Sequence, residues 1–392
     1  MRNYIFTSES VMGGHPDKIC DRLSDTILDT YLQKDPGAHV AVETAVTTNR
    51  VILMGEVKSK VKLSNKTIES IVRKCIQDIG YEQQGFHWKD IEVQNYLHDQ
   101  SSDIAQGVDA HVDQNGDHQE EGAGDQGIMF GFACRDTKAY MPAPIYYAHK
   151  ILRTISNDIH DKKLAQLGPD GKCQISIQYK DGKPHKATSI VLSIQHSENL
   201  SQEQVRTLVR PYIEKALPDG WVCPDANIFI NPTGRFVIGG PDGDAGLTGR
   251  KLTVDTYGGS IPHGGGSFSG KDPSKVDRSA TYALRYLAKN IVAAGLADSC
   301  TLQLSYGIGI SHPISLYINC HHTAKIPEQK ILDLIPKLMD LSPRGIRDHL
   351  KLDRPIYERT ATFGHFGPDP DADGGFSWER LDLVEKFKEI LQ

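Results

Sequence analysis

One order of elements, helix–strand–strand–helix–strand, recurs three times along the 392 residues, and few folds accommodate that. The first copy opens with a helix over about 17–33, after Pro16, with Ile19, Leu23, Ile27 and Tyr31 on one stripe. Strand-like runs at 39–47 and 50–57, a helix over about 66–79 and an extended run at 91–97 complete it. The second copy has a helix over about 144–161, strands at 173–179 and 188–196, a helix over about 201–216 and a run at 226–230. The third has a helix over about 274–294, strands at 301–308 and 314–319, a helix over about 327–340 and a run at 357–363. This predicts an α+β protein of three pseudo-symmetric domains, each a mixed sheet covered on one face by helices. The expected boundaries are an N-terminal domain at 1–102, a loop or linker at 103–122, a central domain at 123–233 and a C-terminal domain at 234–392. Sheet faces without helices need burial against each other or against a second subunit, so self-association as a homodimer is expected.

A net charge of −6, with 24% charged and 39% hydrophobic residues, suits a soluble protein and argues against a nucleic-acid coat. No run approaches a membrane span and the first residues lack a signal-peptide core. The seven dispersed cysteines form no CxxC pair, as expected of reduced thiols in the cytoplasm.

Four segments carry the chemistry. Gly264–Asp272 reads GGGSFSGKD, one residue short of a P-loop: Asp272 stands where Ser or Thr would reach magnesium, and Val254–Tyr257 is a poor preceding strand. Glycine N–H groups and Lys271 nonetheless suit phosphate, and Lys271, Asp272, Lys275 and Asp277 crowd a helix start. Asn231–Lys251 holds six glycines with Arg235, Asp244, Arg250 and Lys251. That density fits close approach of the backbone to a ligand. Phe236 is either core or a stacking surface for adenine, worth roughly 1–3 kcal/mol. GAGDQG at Gly122–Gly127 precedes a strand (128–133) instead of following one, which fails the dinucleotide-binding context and leaves Asp125 suited to a polar or cationic group. Phe6–Lys18 places His15 and Asp17 at a helix start, where free N–H groups favour anions. Lys, Arg, glycine-rich backbone and carboxylates together are what a nucleotide polyphosphate with Mg2+ demands.

These segments resemble the S-adenosylmethionine synthetases. GAGDQG and GGGSFSGKD match the family's diagnostic stretches, and FTSES, GHPDK, NPTGRFVIGG, GDAGLTGRK, DPSKVDRSA and KNIVAAGLAD extend the likeness from about Phe6 to Gly367. The resemblance implies that ATP and L-methionine react, and that His15, Lys172, Arg250 and Lys271 are catalytic. ATP would be held by His15, Asp170, Gly171, Lys172, Arg235, Phe236, Asp244, Arg250, Lys251, Ser267 and Lys271. Methionine would be held by Glu56, Gln100, Asp125, Asp244 and Lys275. Asp17 and Asp277 would bind Mg2+, two ions per site, and Glu43 one K+ per subunit. The loop from Gln100 would act as a mobile gate. Active sites shared within a homodimer, assembled further into a homotetramer, follow from the same likeness. Gly13 replaces the family's usual Glu, Ser102 its usual Pro, and Ser305–Pro313 also departs. Competing readings are a P-loop-like kinase, which would leave ADP, and a non-catalytic nucleotide sensor.

Overall fold

The computed structural model describes residues 3–100 and 121–391, so the gate expected from Gln100 onward and Ser102 lie outside the described residues, apart from Gln100 itself. β1 (Tyr4–Val11) precedes α1 (Pro16–Lys34). β2 (His39–Thr47) and β3 (Arg50–Lys58) form a hairpin, and α2 (Asn65–Ile79) is capped by the Ser64 side chain. After the short β4 (Glu82–Gln83) and β5 (Phe86–His87), β6 (Glu92–Asp99) runs parallel to β3.

The central unit has β7 (Gly127–Cys134), α3 (Ala143–His160), β8 (Leu167–Lys180), β9 (Lys183–His196), α4 (Gln202–Ala216) and β10 (Ile228–Ile230). Ser201 and Gln204 form a reciprocal capping box at the start of α4. The last unit has β11 (Gly246–Leu247), α5 (Leu252–Asp255), α6 (Val276–Ala293), β12 (Ser299–Tyr306), β13 (Ser315–Asn319), α7 (Glu328–Leu338), α8 (Pro343–Leu350) and α9 (Val384–Lys388).

The three α+β units repeat as the sequence indicates, with one correction. The run 357–363 is not a strand: Glu358–Thr360 is a 3-10 turn. The Asp29 carboxylate on α1 accepts the N–H groups of Tyr357 and Glu358, and the Tyr357 hydroxyl donates to the Leu352 carbonyl. These bonds hold the segment against α1, so among the described residues the third sheet has no parallel strand like the one that ends the other two.

Each of the three larger sheets also borrows a strand from another unit. β1 pairs antiparallel with β8, β7 with β12, and β11 with β2, giving orders β1-β8-β9-β10, β13-β12-β7 and β11-β2-β3-β6. The exchange is cyclic: N-terminal segment to central sheet, central to C-terminal, C-terminal to N-terminal. It brings distant segments side by side before any loop is considered.

Alternation on β2 and β3 buries Val40, Val42, Val46, Val51 and Leu53 under α1, whose stripe Ile19, Leu23, Ile27 and Tyr31 is buried as expected. Each such side chain contributes roughly 1.5–3 kcal/mol. The opposite face of this sheet carries Met54 (39% exposed), Tyr96 (61%) and Leu247 (43%). All seven cysteines are buried and unpaired as disulfides. No helix among the described residues is long and apolar enough to cross a membrane.

Candidate active site

The strand exchange builds the first cluster. Val11 lies opposite Lys172, the Met12 N–H donates to the Gly171 carbonyl (2.9 Å) and the Gly14 N–H to the Pro169 carbonyl (3.2 Å). Asp170, Gly171 and Lys172 therefore lie beside His15, the cap of α1. β11 brings the following residues down on the same helix start. The Leu247 N–H donates to Asp17 Oδ1 (3.1 Å), Lys251 Nζ meets Asp17 Oδ2 (2.6 Å), and Arg250 Nε lies 3.4 Å from Asp17 Oδ1.

Burial pushes the Asp17 carboxyl up, yet the Lys251 hydrogen bond and the Leu247 N–H outweigh it and hold the group below its ordinary value. His15 is pushed down to about 3 by burial, then by the charges of Lys251 and Lys172. Its Nδ1 accepts the Asp17 N–H at 3.2 Å, so the neutral ring carries its proton on Nε2, a donor for an anion.

The adenine candidates join through Asp170, whose Oδ2 accepts the Gly240 N–H at 2.8 Å. Burial pushes Asp170 up to about 6 against that bond and the Lys172 charge. Phe236 is half-buried, its N–H donating to His196 Nε2 (3.1 Å) and its carbonyl accepting from the His196 N–H (2.9 Å). Phe236 is therefore not a core residue. Arg235 is exposed and paired with Glu198 at 2.6 Å, and Asp244 is exposed beyond the Gly240–Asp242 turn.

A second cluster forms at α6. Gly270, at φ +81°, turns GGGSFSGKD so that its carbonyl accepts the Val42 N–H, and Lys271 then faces Ala41 in an isolated antiparallel bridge. Lys271 Nζ pairs with Asp277 Oδ2 (2.6 Å), and Lys275 Nζ with Asp272 Oδ2 (2.5 Å). A Cβ on Gly266 would come within 2.3 Å of the Asp277 carboxyl group, so that glycine makes room for the carboxylate. Gly127, the last residue of GAGDQG, lies against the same carboxylate. Ser267 packs on Gly249, which joins the two clusters.

The methionine candidates spread more widely. Glu56 lies in the row Ala41–Glu56–His98 and Glu43 in the row Glu43–Met54–Tyr96, on the sheet face opposite α1. Gln100 follows β6, its N–H donating to the Val57 carbonyl, and Asp125 is exposed with Oδ1 accepting the Gln126 N–H. The single chain does not gather Glu56, Gln100 and Asp125 with the His15 cluster through any direct hydrogen bond among the described residues.

Several residues support the site from behind. Asp272 is buried and accepts the Val40 N–H (2.6 Å) and the Ser274 N–H, and His196 cradles Phe236. Lys18, Asp21 and Asp255 form a buried ionic group beneath Asp17. The signal for Asp272 was its position in GGGSFSGKD; nothing in the sequence marked His196. Gly13 lies against Thr362, where a Cβ would meet Cγ2 at 3.2 Å, so the departure there fits a close contact.

No group of three or more His, Cys, Asp or Glu among the described residues forms a metal cage. Mg2+ nevertheless binds readily through one or two carboxylates plus substrate phosphates, so Asp17 and Asp277, each beside phosphate-type lysines, fit that donor set.

Three domain profiles match the chain: the S-adenosylmethionine synthetase N-terminal domain over residues 3–102, the central domain over 120–236 and the C-terminal domain over 238–380. The chain is 60% identical to the S-adenosylmethionine synthase of Rhodospirillum centenum, covering 98% of each. It is 57% identical to that of Paramagnetospirillum magneticum, covering 100% of this chain and 99% of the relative. It is 58% identical to that of Parvibaculum lavamentivorans, covering 98% of each.

Proposed function

Because the chain belongs to the S-adenosylmethionine synthetase family, we propose that it forms S-adenosylmethionine from ATP and L-methionine, releasing triphosphate that it then hydrolyses to pyrophosphate and phosphate. The observation that carries the mechanism is the convergence of His15, Lys172, Arg250 and Lys251 on one helix start, with Lys271 on the adjoining loop.

The thioether sulfur attacks the ribose 5′ carbon, and the bond to the triphosphate oxygen breaks. A thioether has no proton to lose, so no base is required and the residues act by alignment and charge. Alignment supplies roughly 7–11 kcal/mol in well-oriented reactions. His15 Nε2 donates to the departing phosphate, and Lys172, Arg250, Lys251 and Lys271 stabilise its growing negative charge. Arg235 and Phe236 hold adenine, Phe236 by stacking, with Asp170, Gly171 and Ser267 completing the ATP site and Asp244 reaching both substrates. Glu56, Gln100, Asp125 and Lys275 take methionine, and Asp125 favours the positive sulfonium. Mg2+, two ions per site through Asp17 and Asp277, would neutralise phosphate charge, and K+ would be held by Glu43.

Glu43, Glu56 and Lys271 share the sheet face that exposes Met54, Tyr96 and Leu247. Apolar surface and site residues on one face support a homodimer with shared active sites; assembly into a homotetramer and a cytoplasmic location follow from the family likeness. The domain boundaries at 1–102, 123–233 and 234–392 remain our reading, each unit lending a strand to the next. Incubation with ATP, methionine, Mg2+ and K+ followed by mass analysis tests the function. An adenosyl sulfonium with phosphate and pyrophosphate is expected; ADP would indicate a kinase.

A further inference from the structure

Segment 249–255 carries two of the cations described above, and it is held at both ends by one buried lysine. Lys18 Nζ donates to Asp21 Oδ2 (2.9 Å) and to Asp255 Oδ1 (2.5 Å). Asp21 Oδ1 accepts the Gly249 N–H (2.8 Å), and the Asp255 N–H closes the turn on the Lys251 carbonyl (2.8 Å). The three side chains are 0%, 1% and 3% exposed. Between the anchors, Arg250 and Lys251 point at Asp17, the neighbour of Lys18 on α1.

Burying an ammonium between two carboxylates costs desolvation that their attraction only roughly offsets, so an apolar filling would stabilise the fold at least as well. What apolar side chains cannot do is fix a glycine N–H and a helical turn at set distances from the start of α1. We propose that Lys18, Asp21 and Asp255 are positioning residues for triphosphate binding: they lock segment 249–255 so that Arg250 and Lys251 stand over His15 and Asp17. None of the three touches substrate. The proposal rests on the synthetase reading, since it concerns the phosphate side of that site.

The test is Asp21→Ala beside Asp21→Asn, in the full chain. The Ala variant loses both the Gly249 and the Lys18 contacts; the Asn side-chain carbonyl still accepts the Gly249 N–H, although its NH2 group cannot accept from Lys18. In Asp21→Ala, KM for ATP should rise about tenfold or more, and affinity for inorganic tripolyphosphate with Mg2+ should fall alike. KM for methionine should stay within about twofold, and Asp21→Asn should recover most of the loss. A structural role alone would lower the thermal midpoint and the active fraction with both KM values and tripolyphosphate affinity unchanged, which overturns the proposal. If Asp21→Ala does not fold, Asp255→Ala, which releases the other end of the segment from Lys18 and leaves the Gly249 anchor, should give the same split; unchanged ATP and tripolyphosphate constants there overturn it equally. Wild-type protein that forms no sulfonium would refute the synthetase reading instead, and tripolyphosphate titration still tests the anchors independently.

Discussion

Lys271 lies directly opposite Ala41, and the same row of the sheet continues through Glu56 to His98. The lysine proposed for phosphate and the carboxylate proposed for methionine are thus two strands apart on one face, although 215 positions separate them in the chain. Lys271→Ala should lower turnover by roughly 10²–10³-fold, because it removes charge that acts as triphosphate departs. Methionine binding, followed by titration calorimetry, should change far less. A turnover loss below about threefold would remove Lys271 from catalysis.

His15 is held neutral by burial and by Lys251 and Lys172, with a folded value of about 3. Its imidazole resonances should therefore stay flat from pH 8 to about pH 5 by NMR. The unfolded ring takes a proton near pH 6.5 that the folded ring refuses, so this residue's contribution is present above that pH and is lost as pH falls toward the folded value. His15→Asn keeps a good helix cap. Between pH 7 and 5, denaturant unfolding should show wild type losing about 2 kcal/mol relative to that variant. A pH-independent difference would contradict the assignment.

The triplicate order was legible because hydrophobic periodicity is local: the stripe Ile19–Leu23–Ile27–Tyr31 and the alternation along β2 need no partner to be read. The failure at 357–363 has the converse cause, since Asp29, more than 300 residues earlier, takes the N–H groups that a strand would have used. The cyclic strand exchange was equally invisible, because nothing local to Tyr4–Val11 says which sheet receives it. Site residues were legible where glycine and charge crowd together, as at Gly264–Asp272. Lys18, Asp21 and Asp255 were not, because ionic groups buried between segments leave no spacing to recognise.

The exposed face bearing Met54, Tyr96, Glu43 and Glu56 leads to a prediction about subunits. A chain with His15, Asp125, Lys251 and Lys271 all changed to Ala is refolded with wild type at varying ratios. If sites are shared, each site of a mixed dimer contains a defective half, and activity per total protein falls as the square of the wild-type fraction. A straight line, with mixed dimers confirmed by native mass spectrometry, would place each site within one chain.

In the proposed reaction sulfur attacks carbon, so the bond broken lies between the ribose 5′ carbon and its oxygen. ATP carrying a heavy-oxygen label at that bridging position, turned over with methionine, decides this directly. All of the label should leave with the phosphate products, and the adenosyl sulfonium should contain none. Label retained on adenosine or ADP, with the carbon–oxygen bond intact, would contradict it.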